Sequence, residues 1–228
     1  MAKTISSEKE MMESNARSIA HLSRRKFFSY AGAASVVMLA ACDKNNEDDG
    51  VNLGSGDIGI LNYAFALEQL EAAFYTQVVQ SFYTGATNDE KAFLTDIRDH
   101  EIAHREFFRN AIGGAKIPDL EVDFSAINFT SRDSVLGTAK AFEDLGVSAY
   151  DGAGYLLKDT GYLLLAGKIV SVEARHAALI RELIAANSFL GDQVDANSVN
   201  ISRTPTEVLA IAGPYIKTKI NASNLPTG

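Results

Sequence analysis

Two Glu-x-x-His motifs are the parts of this chain whose residue types and spacing point most directly to chemistry. Glu101 lies three residues before His104, and Glu173 lies three residues before His176. Residues three apart share one face of a helix, so each motif presents a carboxylate and an imidazole side by side. A carboxylate within an apolar helix face needs a compensating partner. Beside a histidine on the same face, that partner is usually a metal ion.

Two further glutamates, Glu68 and Glu143, lie within a repeated phrase. Both follow the pattern A-x-E-x-L-x-x-x-x-Y, which ends at Tyr75 and Tyr150 and recurs after 75 residues, while the two Glu-x-x-His motifs are 72 residues apart. The repeat indicates two copies of a helical hairpin, each donating half a site. The order Glu, Glu-x-x-His, Glu, Glu-x-x-His is the ligand set of a di-iron or di-manganese carboxylate bundle. The two tyrosines share a face with their glutamates and are either core aromatics or second-shell hydrogen-bond donors.

Glu71 is a reserve candidate close to this set. When the two repeats are aligned, Glu71 falls opposite Gly146, so the second hairpin has no carboxylate at the matching position. We therefore assign the ligand of the first helix to Glu68, as a bridging or terminal ligand, and keep Glu71 as a second-shell group.

His100 creates a formal H-E-x-x-H motif with Glu101 and His104, the signature of zinc metalloproteases. A protease of that kind also needs a third ligand and a substrate cleft, and this interpretation leaves Glu143 and the second Glu-x-x-His motif unexplained. It remains a remote alternative. His100 is otherwise a spectator or a second-shell group beside His104.

Helical periodicity predicts four long helices to position these residues, over 58–82, 88–112, 130–155 and 159–187. The first and third connections are short and favour antiparallel hairpins. Residues 113–130 could extend about 59 Å, more than the length of about 36 Å of a 24-residue helix. The fold class is therefore all-α: a four-helix bundle at 58–188 with one long crossover between helices 2 and 3. A C-terminal tail at 189–228 follows, with one short helix beginning near Thr204.

The N-terminal segment has the features of an export signal. A twin-arginine sequence, SRRKFF, precedes an apolar stretch of about 12 residues, too short to span a bilayer. The stretch ends in Leu39-Ala40-Ala41-Cys42, which resembles a bacterial lipoprotein box. We expect a signal peptide at 1–41, lipidation of Cys42 and a flexible acidic tether at 42–57, and hence an exported protein anchored to a membrane of the bacterial cell envelope. A plain signal peptide with a chance cysteine is the alternative.

The composition argues against several kinds of partner and binding site. The 228 residues carry a net charge of −8, which argues against nucleic acid as a partner because phosphate binding depends on Lys and Arg. A single cysteine excludes an intrachain disulfide and an iron–sulfur cluster held by the chain's own thiolates.

Residues 58–188 resemble the ferritin-like superfamily, which includes ferritins, bacterioferritins and rubrerythrins. The phrases NYAFALEQLEAAFY, HEIAHREFF, AFEDLGVSAYDGAG and SVEARHAALIREL are most similar to bacterial ferritin-like proteins related to plant desiccation-associated proteins. The resemblance implies a ferritin-like bundle binding two Fe or Mn ions. The chain departs from rubrerythrins in lacking a Cys-x-x-Cys module, and its tail does not suit a closed ferritin shell. The ligands that it implies are Glu68, Glu101, His104, Glu143, Glu173 and His176.

Two functions remain open at this stage. The first is a di-metal oxidoreductase with O₂ or peroxide as substrate, giving ferroxidase, peroxidase or catalase-like turnover in stress protection. The second is a non-enzymatic envelope or desiccation-stress protein with a structural or vestigial metal site. Either could act as a homodimer.

Overall fold

Four long helices, arranged as two antiparallel hairpins, dominate the computed structural model, which describes residues 50–227. The all-α bundle with one long connection between its second and third helices is confirmed. The predicted signal peptide, Cys42 and the tether as far as residue 49 lie outside the described residues. The helices are α1 Gly56–Gln80, α2 Asn88–Ile112, α3 Arg132–Ala153 and α4 Thr160–Ile184.

The helix ends follow from local hydrogen bonds. A capping box begins α2, since the Glu90 backbone N–H donates to Thr87 Oγ1 (3.1 Å) and the Thr87 N–H donates to Glu90 Oε2 (2.8 Å). Three 3-10 turns, Gly113–Ala115, Gly154–Leu156 and Gly213–Tyr215, follow helices. The fourth helix ends at Ile184 rather than near 187, because the Asn187 N–H donates to Glu182 Oε1 and Asn187 adopts a φ of 65°.

The crossover runs along one side of the bundle from end to end. It leaves α2 beside the start of α1, where the Ile117 N–H donates to the buried Asn62 side chain. Midway, Phe124 packs edge-on against Phe74 of α1 with ring centroids 6.0 Å apart. Its last residues lie beside the far end of α1, where the Thr84 N–H donates to the Thr130 carbonyl. This path places α3 antiparallel to α1 and leaves the middle of all four helices facing one another.

The segment before α1 belongs to the domain, which differs from the predicted tether at 42–57. Strand β1, Val51–Asn52, pairs in parallel with strand β2, Ile220–Asn221, and Leu53 is fully buried. The acidic, glycine-rich composition around this segment is typical of a flexible linker. Its burial could not be predicted from the local sequence, because the strand that pairs with it lies far along the chain. The rest of the tail contributes α5, Pro205–Ala212, whose Val208 and Ala212 are buried.

Helix α1 is the most deeply buried element. Most of its residues are buried, including the polar Asn62, Gln69 and the glutamates of the predicted site. Within residues 50–227, no helix is both long enough and apolar enough to cross a bilayer.

Candidate metal centre

All six ligands implied by the sequence meet in the middle of the bundle. The four glutamates are fully buried and His176 is nearly so. Their side-chain ligand atoms form two groups, and within each group all atoms lie within 4.8 Å of one another. Glu101 and Glu173 belong to both groups, whereas Glu68 belongs to one group only. The groups are Glu68, Glu101, His104 and Glu173, and Glu101, Glu143, Glu173 and His176.

Each histidine points its Nδ1 atom at a carboxylate of the other Glu-x-x-His motif. His104 Nδ1 lies 2.8 Å from Glu173 Oε1, and His176 Nδ1 lies 2.8 Å from Glu101 Oε1. The glutamates of α1 and α3 are slightly more distant. His104 Nδ1 lies 3.5 Å from Glu68 Oε2, and His176 Nδ1 lies 3.4 Å from Glu143 Oε2. The two halves of the site therefore repeat one geometry, as the repeat in the sequence predicts.

Several atoms that face the centre form no well-oriented hydrogen bond. Each histidine Nδ1 is in ion-pair contact with a carboxylate oxygen at 2.8 Å, but it is not oriented as a hydrogen-bond donor to that oxygen. Leaving buried polar atoms unpaired costs about 1–3 kcal/mol each and more for charged groups. Carboxylate oxygens and imidazole nitrogens are ligands that iron, manganese and zinc accept. The donor set thus fits a divalent metal centre. The unpaired atoms include Glu68 Oε2, both oxygens of Glu101 and Glu173, Glu143 Oε2, and Nδ1 of His104 and His176.

Burial and the neighbouring charges strongly shift the pKa values of the glutamate and histidine side chains in the site. Burial opposes protonation of His176, but contacts with Glu101 and Glu143 outweigh it and raise its pKa to about 11. The pKa of His104 is raised in the same way. Burial disfavours the ionised form of Glu101, yet the two histidines lower its pKa to about 2. Burial raises the pKa of Glu68 to about 7. In the absence of a cation, protons on the histidines thus supply the positive charge that these carboxylates require.

Tyr75 and Tyr150 are hydrogen-bond donors to the site as well as core aromatics. The Tyr75 hydroxyl donates to Glu143 Oε1 at 2.5 Å, and the Tyr150 hydroxyl donates to Glu68 Oε1. Each tyrosine thereby holds one oxygen of the glutamate from the other repeat and leaves the second oxygen facing the centre.

His100 contacts the site from its exposed side. Its Nδ1 lies 2.9 Å from Nε2 of His176, and the two rings stack with centroids 5.1 Å apart. The contact engages the nitrogen of His176 that faces away from the carboxylates. His100 joins neither ligand group among the described residues, whereas Glu101 and His104 do. The H-E-x-x-H arrangement of a zinc protease, with both histidines on one ion, is therefore not formed.

Sequence reasoning missed a buried ion pair beside the site. Arg181 of α4 donates to both carboxylate oxygens of Asp144, at 2.8 Å through Nε and 2.5 Å through Nη2. Asp144 follows the ligand Glu143, so the pair braces α3 against α4 next to the centre. Arg109 is the counterpart of Arg181 in the repeat, but it forms a more exposed pair with Asp119. The repeat alone therefore gave no signal for this pair.

Comparison with known proteins agrees with this geometry. A family model of the ferritin-like domain matches residues 56–186. The match begins with α1 and ends just beyond α4, so it spans the bundle and all six converging residues. A search of curated proteins gave no match. Because the family model covers more than half of the chain, the chain belongs to the ferritin-like family.

Proposed function

We propose that this domain binds two iron or manganese ions between its four helices. The observation that carries the proposal is the sharing of Glu101 and Glu173 by two groups of converging ligand atoms. Shared carboxylates would bridge the two ions. Glu68 with His104 would complete one coordination sphere, and Glu143 with His176 would complete the other.

The charges of the site support two ions rather than one. Four ionised glutamates carry four negative charges, which two divalent cations match when both histidines are neutral. A charge imbalance in a buried site is costly, because solvent cannot screen it. With one ion, protons on a histidine or on the carboxylates would have to supply the rest of the counter-charge.

The surrounding residues would orient the ligands. Tyr75 and Tyr150 fix the rotation of Glu143 and Glu68 through their hydrogen bonds. His100 engages Nε2 of His176 and so keeps Nδ1 as the ligand atom. Hydrogen bonds of this kind commonly tune metal affinity and ligand orientation.

A metal titration tests the proposal. Anaerobic Fe²⁺ or Mn²⁺ added to the domain is expected to bind with an endpoint of two ions per chain. At pH 7 each histidine holds a proton that a metal must displace, since both pKa values are raised. Binding should therefore release at least two protons per chain, with a further contribution from Glu68, whose pKa is raised to about 7, and the apparent affinity should rise with pH. An indicator dye in weakly buffered solution measures the release, and metal uptake without protons would contradict the ligand assignment.

The same loaded protein separates an oxidoreductase from a structural metal protein. Bound iron or manganese supplies redox chemistry toward O₂ or peroxide when a coordination position is open. Consumption of O₂ or peroxide that disappears in Glu143→Gln would favour the oxidoreductase. Loaded protein that consumes neither supports the alternative, a stress or envelope protein with a structural metal.

We also propose that the domain is exported and tethered to a membrane through Cys42. The support comes from the sequence, namely the twin-arginine segment and the box ending at Cys42, eight residues before the described domain begins. Cys42→Ala is expected to move the protein from the membrane fraction to the soluble fraction of the cell envelope. Ser35→Ala, in the same apolar stretch, is the matched control. A Cys42→Ala protein that stays with the membrane would overturn the lipid anchor.

A further inference from the structure

Large apolar side chains are exposed to solvent where α4 begins. Leu163 and Leu164 lie in its first turns, and Tyr155 lies in the 3-10 turn before the helix. A Cβ atom on Gly154 would lie 3.7 Å from Leu163 Cδ1, so Leu163 packs beside the residue that precedes Tyr155. Tyr155, Leu163 and Leu164, which we call the apolar patch, are 66%, 43% and 61% exposed. Exposed apolar residues that lie together mark a binding surface, whereas scattered ones do not.

The charged side chains on either side of the apolar patch are basic. Residues 160–172 contain no Asp or Glu, and Lys168 lies one turn after Leu164 on the same exposed side of α4. Lys158 is exposed just before the helix. Asp159, which directly precedes this stretch, is engaged in capping α4 through the first N–H groups of the helix. In a chain with a net charge of −8, an apolar surface flanked by lysines is typical of a face that lies against anionic lipid.

The apolar patch lies at the end of the bundle where the chain enters the domain. The described residues begin seven positions before Asp57, in the first turn of α1. The Asp57 carboxylate accepts hydrogen bonds from the N–H groups of Lys158 and Asp159, at 2.9 and 2.8 Å, and the apolar patch flanks those two residues in the chain. The eight residues from Cys42 to Asp49 can extend at most about 29 Å. A lipid on Cys42 would therefore keep this end of the domain close to the bilayer.

We propose that the apolar patch docks on the surface of the membrane that holds the lipid anchor. The inference rests on the proposed anchor at Cys42 and deepens it, because the anchor limits the distance between domain and bilayer whereas the patch sets the orientation. Three side chains are a small contact for a free protein. A short tether makes that contact intramolecular and raises the effective concentration of the patch at the bilayer. The starts of α1 and α4 then face the lipid, and the start of α2 faces away from it.

Tryptophan fluorescence tests the docking, because the chain contains no tryptophan of its own. Leu164→Trp places a single fluorophore in the apolar patch. Phe93→Trp places one at another exposed position, near the start of α2 at the opposite end of the bundle, and is the matched control. Each lipidated protein is reconstituted into vesicles of phosphatidylcholine and phosphatidylglycerol whose acyl chains carry bromine, either near the headgroup or near the methyl end. We expect Leu164→Trp to lose about half of its fluorescence to bromine near the headgroup and less to deep bromine, since interfacial side chains enter about 5–10 Å. Phe93→Trp should keep its fluorescence.

Tyr155→Gln, added to Leu164→Trp, should weaken the quenching, and circular dichroism verifies that each variant is folded. Leu164→Trp protein that floats with the vesicles but is not quenched, or is quenched no more than Phe93→Trp, would overturn the docking and leave the anchor intact. Blue-shifted emission that bromine does not quench and that grows with the protein-to-lipid ratio would overturn it as well, since the patch would then contact a second copy of the chain. Protein that does not float with the vesicles would overturn the anchor, and the docking with it.

Discussion

Glu101→Gln is expected to abolish binding of the metal pair, whereas Glu68→Gln is expected to leave one ion bound. The difference follows from the geometry, because Glu101 belongs to both groups of ligand atoms and Glu68 belongs to one. Both Glu101 oxygens face the centre without hydrogen-bond partners. Glutamine retains a single carbonyl oxygen and places an amide donor where the second oxygen should bind.

The expected loss of affinity for Glu101→Gln is about 100-fold or more, since removing even an outer hydrogen-bonding partner of a ligand costs 10- to 100-fold. Metal content per chain after equilibrium dialysis measures it. Glu182→Gln, at an exposed position near the end of α4, serves as the control, and circular dichroism verifies that each variant is folded. Two ions retained by Glu101→Gln, or both ions lost by Glu68→Gln, would contradict the shared-ligand arrangement.

Gly152→Ala is expected to destabilise the domain by separating the C-terminal tail from α3. A Cβ atom at residue 152 would lie 1.8 Å from the carbonyl oxygen of Arg203 and 2.8 Å from its nitrogen. The clashing atoms are backbone atoms, and the Arg203 N–H is held by the Ser148 carbonyl at 3.0 Å. The tail therefore cannot yield without losing that hydrogen bond. We expect the free energy of unfolding to fall by about 3 kcal/mol, at the upper end for overpacking.

Gly137→Ala in the same helix provides the matched control. Residue 137 is exposed and a Cβ atom there would meet nothing within 4 Å. Alanine is the better helix former, so this change should raise the free energy of unfolding by about 0.5–1 kcal/mol. Urea unfolding measures both variants, and limited proteolysis should cleave the tail of Gly152→Ala first. Equal stabilities for the two variants would show that the tail does not pack tightly on α3.

The bundle could be predicted from the sequence because the signals that specify its helices and their connections are local. Helical periodicity, the capping residues and the length of the crossover each depend on nearby residues, and the helices agree with the prediction within a few positions. The Glu-x-x-His spacing likewise indicated which side chains share a face. By contrast, spacing along one helix does not indicate which carboxylate reaches across to the opposite helix. The sharing of Glu101 and Glu173 therefore emerged only from the structure.

The features that escaped prediction all join distant parts of the chain. The pair between Arg181 and Asp144 links two helices across 37 residues. The pairing of Val51 with Ile220 brings together residues near the two ends of the described range. Neither contact has a local sequence pattern, because a two-residue strand or a single ion pair is too short to show periodicity. The burial of Leu53 depends on this long-range packing.

The close contacts at the metal centre have a consequence for how the protein assembles. Each of the four shortest runs from one helical hairpin to the other, so neither hairpin holds a finished half-site of its own. Docking of the hairpins and creation of the site are therefore a single cooperative event. A cation bound there would link the two hairpins, and its binding free energy would add to the stability of the whole bundle. The four contacts are Tyr75 to Glu143, Tyr150 to Glu68, His104 to Glu173, and His176 to Glu101.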